Sequence, residues 1–205
     1  MRTLNELYDL ERARLRALCG MDGPCGAYEA PVFGQGPEKP FLMLIGEAPG
    51  GEETKQSRPF VGKAGRQLDE LLTYAGIPRD EVYITNVVKY RPMVIGERTV
   101  RNRTPVRQEI DASLPLLREE LLILRPQCVA TLGNVPLSAM LSLCGIDRQV
   151  IGEAHGSARR VTLLDWETAL FPLYHPASAI YNRSLLPVCR EDAERLGELY
   201  AVNKR

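Results

Sequence analysis

At 205 residues, with 26 Lys+Arg matched by 26 Asp+Glu and 44% hydrophobic residues, the chain has the composition of an ordinary globular domain able to bury a real core. The balance excludes a polybasic tail and a disordered or fibrous chain, and no apolar run nears the roughly 18–20 residues of a membrane span. The N-terminal MRTLNELYDLERARLRALCG mixes acids and bases where a signal peptide would be apolar, and five cysteines without regular spacing argue against a disulfide framework, so a cytoplasmic protein with buried thiols is expected.

In chain order, Leu4, Leu7, Tyr8, Leu15 and Leu18 fit one face of a helix over 3–18. Residues 20–40 hold five glycines and four prolines and read as a long loop. The unbroken run FLMLI (41–45), ending in Gly46, has the pattern of a strand buried on both faces. Ala64, Leu68, Leu71, Leu72 and Ala75 then recur at helical spacing, with Gly76 as a stop. Residues 82–88, VYITNVV, are β-branched and strand-like. Thr104-Pro105 reads as a cap followed by proline at the first helical position, opening a helix to 124 with Ile110, Leu114, Leu117, Leu121 and Leu124 on one stripe. Residues 128–132 make a third strand ending in Gly133, followed by a helix over 136–143. A weakly patterned stretch contains His155 and a candidate short strand at 161–164; residues 169–173 form the last strand and 191–202 a closing helix.

Alternating strands and helices with right-handed crossovers imply a three-layer α/β/α sandwich around a mostly parallel, four-stranded sheet. One domain over 1–205 is expected, with an N-terminal helix and loop (1–40) and an α/β core (41–202). Ligands of such sheets sit beyond the carboxyl ends of the strands. There the sequence places GEAPGGEE, Asn86, Gly133-Asn134 and Tyr174-His175-Pro176.

Each of these loops has a plain reading beside a chemical one. GEAPGG is either a structural turn or a backbone cradle for a ligand; it matches neither a dinucleotide fingerprint nor a Walker loop. Phe60, set in RPFVG, is a core anchor or a ring on which a flat ligand stacks, a contact of about 1–3 kcal/mol for a base. Asn86 either satisfies backbone groups at a strand end or offers its planar amide to a nucleobase edge. His175 sits at the open end of the last strand, where its position favours a functional role. No cluster of ligand residues has metal-binding spacing. Two basic windows stand near these loops: 55–66, which has Lys55, Arg58, Lys63 and Arg66 without an acid, and 86–107, whose six basic residues face only Glu97. Either is a solvated surface or a phosphate-facing one.

Taken together, GEAPGGEETKQSRPFVGKAG (46–65), YITNVVKYRP (83–92), NRTP (102–105) and YHPASAI (174–180) resemble the uracil-DNA glycosylase superfamily, most closely its family 4. The resemblance implies a DNA repair hydrolase that flips deoxyuridine from DNA and cleaves its N-glycosidic bond, releasing uracil and leaving an abasic site. It implies that Phe60 stacks on uracil, Asn86 reads its polar edge, and the backbone of Gly46 and Ala48 borders the base. Glu47 organises the pocket or the attacking water. His175 bonds the uracil carbonyl as charge develops there. Lys55, Arg58, Lys63, Lys89, Arg91, Arg98, Arg101 and Arg103 grip the backbone of uracil-containing DNA. The alternatives are a non-cleaving binder of uracil or another modified base in DNA, and a hydrolase of free nucleotides on the same fold.

The chain departs from the family in three places. The aspartate and tyrosine of the best-studied branch are replaced by Ala48 and Gly50. Family 4 carries an iron–sulfur cluster on four cysteines, yet here Cys19 and Cys25 have five residues between them, Tyr90 follows Lys89, and Ala112-Ser113 lies where the last ligand belongs. No cluster and no metal are therefore expected. The segment 93–101, MVIGERTVR, is inserted relative to family 4; a related branch has a covalently reacting histidine near the place of Asn102, and asparagine is a poor nucleophile, so turnover is expected from a monomer.

Overall fold

Short apolar runs become strands only where both faces are covered, and this chain supplies the covering helices between them. The computed structural model describes residues 2–19, 30–96 and 99–203. Its elements are α1 (Leu4–Cys19), β1 (Leu42–Gly46), α2 (Gly51–Gln56), α3 (Lys63–Tyr74), β2 (Val82–Asn86), β3 (Met93–Ile95), β4 (Val100–Asn102) and α4 (Arg107–Leu124). There follow β5 (Cys128–Leu132), α5 (Asn134–Leu143), α6 (Ile151–Ala154), β6 (Arg159–Leu163), β7 (Trp166–Leu173), α7 (Pro176–Tyr181) and α8 (Leu186–Asn203).

The main sheet has the order β2-β1-β5-β7-β6. The first four strands are parallel, and β6 runs antiparallel to β7. The sheet thus has five strands, one more than the sequence reading counted. The strand expected over 161–164 runs instead over Arg159–Leu163, because the chain turns straight back at Leu164, whose φ is 59°, and Val161 and Leu163 fill a core face.

Alternation along the strands sorts the core into two layers. Met43, Ile45, Tyr83, Val129 and Leu170 pack with Leu117 and Leu121 of α4 and Leu137 and Met140 of α5. Leu42, Leu44, Ile84, Ala130 and Phe171 face the other way, onto Leu68 and Leu72 of α3 and Leu196 and Tyr200 of α8. Each buried apolar side chain of this size contributes about 1.5–3 kcal/mol, and β1, β2 and β5 are buried on both faces rather than alternating between core and solvent. The outer edge of β2 is covered by residues 32–35: Gln35 pairs with Ile84, and the Val32 amide donates to the Lys89 carbonyl at 2.8 Å. An edge covered in this way is closed to strand addition.

Two local departures matter for the site. Strands β3 and β4 pair antiparallel in a two-stranded hairpin separate from the main sheet, with Val94 opposite Arg101 and Ile95 opposite Val100. The helix expected from Thr104-Pro105 starts later, with Val106 as its cap, because the Glu109 carboxylate accepts the Val106 amide at 2.8 Å while the Thr104 hydroxyl bonds Glu47. Among the described residues no helix is long and apolar enough to cross a membrane.

The strand order places a crevice. From β1 the chain moves to β2 on one side and then returns to β5 on the other, and ligands of doubly wound sheets lie beyond the strand ends at such a reversal. The residues there are Gly46, Asn86, Leu132 and Leu173, the last of each parallel strand.

Candidate active site

Parallel register puts Gly46 directly beside Asn86. The two exits stay zipped past the strands, with Val87 and Val88 amides donating to the carbonyls of Gly46 and Glu47 at 2.9 and 3.0 Å. Gly46 is glycine for want of room: a Cβ there would lie 2.3 Å from Asn86 Oδ1 and 2.6 Å from the Phe60 ring. Asn86 is 2% exposed, and its Oδ1 has no partner among the described residues. An unpaired buried acceptor costs about 1–3 kcal/mol, and a ligand N–H would relieve it.

Phe60 is held in a left-handed backbone, φ 54°, which is costly for a residue with a side chain. Two devices enforce it. The Arg79 guanidinium donates to the carbonyls of Pro59 and Phe60 at 3.1 and 2.9 Å and pairs with Asp69. Gly65 lets α3 start against the same peptide, since a Cβ there would come within 2.0 Å of the Phe60 oxygen. Glu53 ties this loop to the first one: its carboxylate accepts the amides of Gly50 at 3.1 Å, Val61 at 3.1 Å and Gly62 at 2.8 Å. Sequence reading missed Glu53, Arg79 and Gly65; the signal was the Gly50-x-x-Glu53 spacing of a capping box, which has an acid at N3.

His175 closes the slot from the β7 side, its ring centroid 6.1 Å from that of Phe60. It caps α7, and its Nδ1 accepts the Ala177 amide at 3.2 Å. Burial pulls its pKa below the ordinary imidazole value. A neutral ring whose Nδ1 accepts must carry its proton on Nε2, so the histidine presents a donor. Gly133 makes space for it; a Cβ there would sit 3.2 Å from the His175 Cβ. His155 lies on the far side of Tyr174, ring centroids 4.7 Å apart, with Nδ1 2.8 Å from Asp192.

Glu47 is half-buried; burial raises its carboxyl above the ordinary range, and a hydrogen bond from Thr104 partly opposes this. Ala48 follows it, half-buried against the α4–α5 core layer. Of the basic residues expected at DNA, Lys55, Arg58, Lys63 and Arg101 are exposed, Lys55 pairing with Glu52. Arg91 and Arg103 are half-buried and held in place, Arg91 by Asn102 at 2.7 Å and Arg103 by a two-pronged bond to Glu109. The hairpin's foot rests on the first loop, as a Cβ on Gly50 would be 3.0 Å from the Asn102 amide and one on Gly51 3.0 Å from the Arg91 guanidinium. Arg91 and Asn102 of the second window therefore border the first loop. Arg98 lies outside the described residues. Lys89 does not face solvent: its side chain is 0% exposed and bonded to Glu120, so it is corrected from a DNA contact to a core residue.

The edge of this α/β sheet thus brings together an aromatic ring, an unpaired buried acceptor and a neutral imidazole, an arrangement that can receive a flat polar ring. Comparison narrows the class. A model of the uracil DNA glycosylase superfamily matches residues 33–198, and the chain belongs to that superfamily. Among its relatives are proteins named type-4 uracil-DNA glycosylase. That of Sulfurisphaera tokodaii is 38% identical over 175 residues, 85% of this chain and 76% of the relative. The Pyrobaculum aerophilum protein is 38% identical over 154 residues, 75% of each chain, and the Saccharolobus solfataricus protein 36% identical over 168 residues, 82% of this chain and 74% of its own.

The four-thiolate cluster of family 4 does not fit these residues. Where the third ligand belongs, the Tyr90 hydroxyl donates to Glu11 at 2.7 Å; where the fourth belongs, the Ser113 hydroxyl donates to the Glu109 carbonyl at 2.8 Å. Cys25 lies outside the described residues, while Cys128 and Cys189 sit in apolar clusters. Among the described residues no group of three or more His, Cys, Asp or Glu side chains is placed to hold a metal ion.

Glu53→Ala leaves three amides without their acceptor and should lower unfolding free energy by about 1–3 kcal/mol, measured by urea denaturation. Glu53→Gln, which keeps one carbonyl oxygen, should lose less; equal stability of all three proteins would show that the carboxylate does not hold the two loops together.

Proposed function

We propose that this protein removes uracil from DNA: it holds a flipped deoxyuridine, hydrolyses the N-glycosidic bond, and leaves an abasic site. The observation that carries the reading is the unpaired Asn86 Oδ1, buried beside Phe60 and Gly46. Uracil has an N3–H for that acceptor and cytosine does not, so the wrong base leaves it unpaired at a cost of about 1–3 kcal/mol. Phe60 stacks on the base, and the loop backbone at Ala48 borders one of its carbonyls. Water attacks C1′ of the sugar as the bond to N1 breaks, and the electron pair leaves with uracil. His175 Nε2–H bonds the carbonyl on which that charge gathers, a bond stronger in the transition state than before it. Glu47, as carboxylate, takes the proton of the attacking water. Lys55, Arg58, Lys63, Arg91, Arg101 and Arg103 serve the phosphates, and Arg98 belongs to the same basic window of the sequence.

The reading extends to the rest of the molecule. The protein works without an iron–sulfur cluster, because Tyr90 and Ser113 stand where two thiolates would be needed. It acts as a monomer and as one unit over 1–205: one copy supplies every pocket group, and Tyr8 of α1 hydrogen-bonds Glu120 of α4. A cytoplasmic setting is supported by the unpaired thiols Cys128, Cys144 and Cys189.

A uracil-containing oligonucleotide incubated with the protein and then treated with alkali should break at the uracil; an intact strand with retained binding would favour the non-cleaving alternative. In that assay His175→Ala should lower the single-turnover rate by about 10²- to 10³-fold with little change in DNA affinity. Asn86→Ala should impair both rate and the preference for uracil over cytosine. Either variant cleaving at the unaltered rate would remove that residue from the mechanism.

Colorimetric iron analysis of the purified protein should give no stoichiometric iron, and its visible spectrum should show no cluster band. About four irons per chain would mean that other cysteines serve as ligands.

The rate should depend on pH through Glu47, which acts deprotonated. Since burial raises its pKa, the acid limb should fall at a pH above the ordinary carboxylate value of about 4.3 and the rate should rise with pH across it. The pKa of His175 is lowered by burial, so any limb from its protonation should fall below the ordinary imidazole value of about 6.5. Single-turnover rates of the unaltered protein and Glu47→Gln across pH check this; a limb that persists in Glu47→Gln assigns the base elsewhere.

A further inference from the structure

Behind the pocket lies a charged network that the reaction does not use. Lys89 and Glu120 are both 0% exposed. The three N–H bonds of the Lys89 ammonium are fully taken, by Thr85 Oγ1 at 2.7 Å, the Asn86 carbonyl at 2.5 Å and Glu120 Oε2 at 2.6 Å. Glu120 also accepts the Tyr8 hydroxyl, and the hydroxyls of Tyr8 and Tyr83 are 2.5 Å apart. Helix α1, strand β2 and helix α4 thus meet at one carboxylate.

We infer that Lys89 and Glu120, linked to α1 through Tyr8, are positioning residues that set Asn86 against the base. The inference rests on the reading of Asn86 as the acceptor for uracil. Strand β2 ends at Asn86, the Val87 and Val88 amides still bond the carbonyls of Gly46 and Glu47, and the chain bends through 87–90; Lys89 reaches back across that bend to the Asn86 carbonyl. Its other two bonds fix the direction of reach, one to the neighbouring Thr85 and one to a helix on the opposite side of the bend. Stability alone does not account for the pair, since a buried ion pair is commonly replaced by apolar side chains of similar volume without loss. An apolar pair could fill the space, but only a three-donor cation holds Thr85, Asn86 and Glu120 in one geometry.

The double variant Lys89→Met/Glu120→Leu separates the two roles, because it removes both charges together and leaves neither unpaired. It should keep a melting temperature within a few degrees of the unaltered protein and the same affinity for uracil-free duplex. Its single-turnover rate on uracil-DNA should fall about 10- to 100-fold, as misplacement of a reading group by a fraction of an ångström does. Inhibition by free uracil should weaken about tenfold. Tyr8→Phe should show a smaller loss of the same kind, and it reads the network even where the single Lys89→Met variant does not fold.

Asn86→Ala is the control. If free uracil inhibits Asn86→Ala as strongly as the unaltered protein, the base-reading role falls and this proposal with it. If Asn86→Ala loses inhibition while the folded double variant keeps both unaltered rate and inhibition, the network is structural only and this proposal alone is wrong. A loss of affinity for uracil-free duplex in the double variant would equally overturn it, by returning Lys89 to DNA contact.

Discussion

The functional edge of this protein depends on the missing side chain at Gly46, held in register with Asn86 by the parallel pairing of β1 and β2. Any Cβ at that position would occupy the gap between the asparagine amide and the Phe60 ring. The gap is therefore specified by backbone hydrogen bonds, which are uniform along a ladder, and not by side chains that could repack. Every further element of the site serves to bring a group to that gap: a strained loop for the phenylalanine, a helix cap for the histidine.

Such a slot needs walls that do not relax. Phe60 occupies a backbone region that its side chain disfavours, and it stays there because Arg79, Gly65 and Glu53 each remove an alternative. A strain of about 1–3 kcal/mol is tolerated when the surroundings over-determine it. The histidine is restrained differently. Its acceptor nitrogen is tied to the helix it caps, so its donor nitrogen has one direction left. The site is cross-tied through its backbone and carries polar groups at only a few atoms.

The open edge was legible in the sequence because it follows from periodicity and loop chemistry alone. Four apolar runs, each ending in a glycine, an asparagine or a histidine, fix which residues share the edge, and the motif resemblance assigns their tasks. What was not legible depends on partners distant in the chain. Lys89 stands in a basic window and reads as solvated; only Glu120, 31 residues away within an apolar stripe, makes it a core residue. Glu53 stands in the sequence as one of two adjacent acids closing the GEAPGGEE loop, and nothing local reveals that it receives amides from Val61 and Gly62. The fifth strand was undercounted because only Val161 and Leu163 face the core, too few for a clear alternation.

Cys128 begins the central strand β5, and burial pushes its thiol up to about 12. At neutral pH the thiol then stays protonated, and thiolates are the forms that electrophiles and peroxides attack. The agents that alkylate and oxidise nucleobases thus find little purchase on the middle of the sheet. Its central strand is thereby shielded from exposures that would modify an accessible thiol.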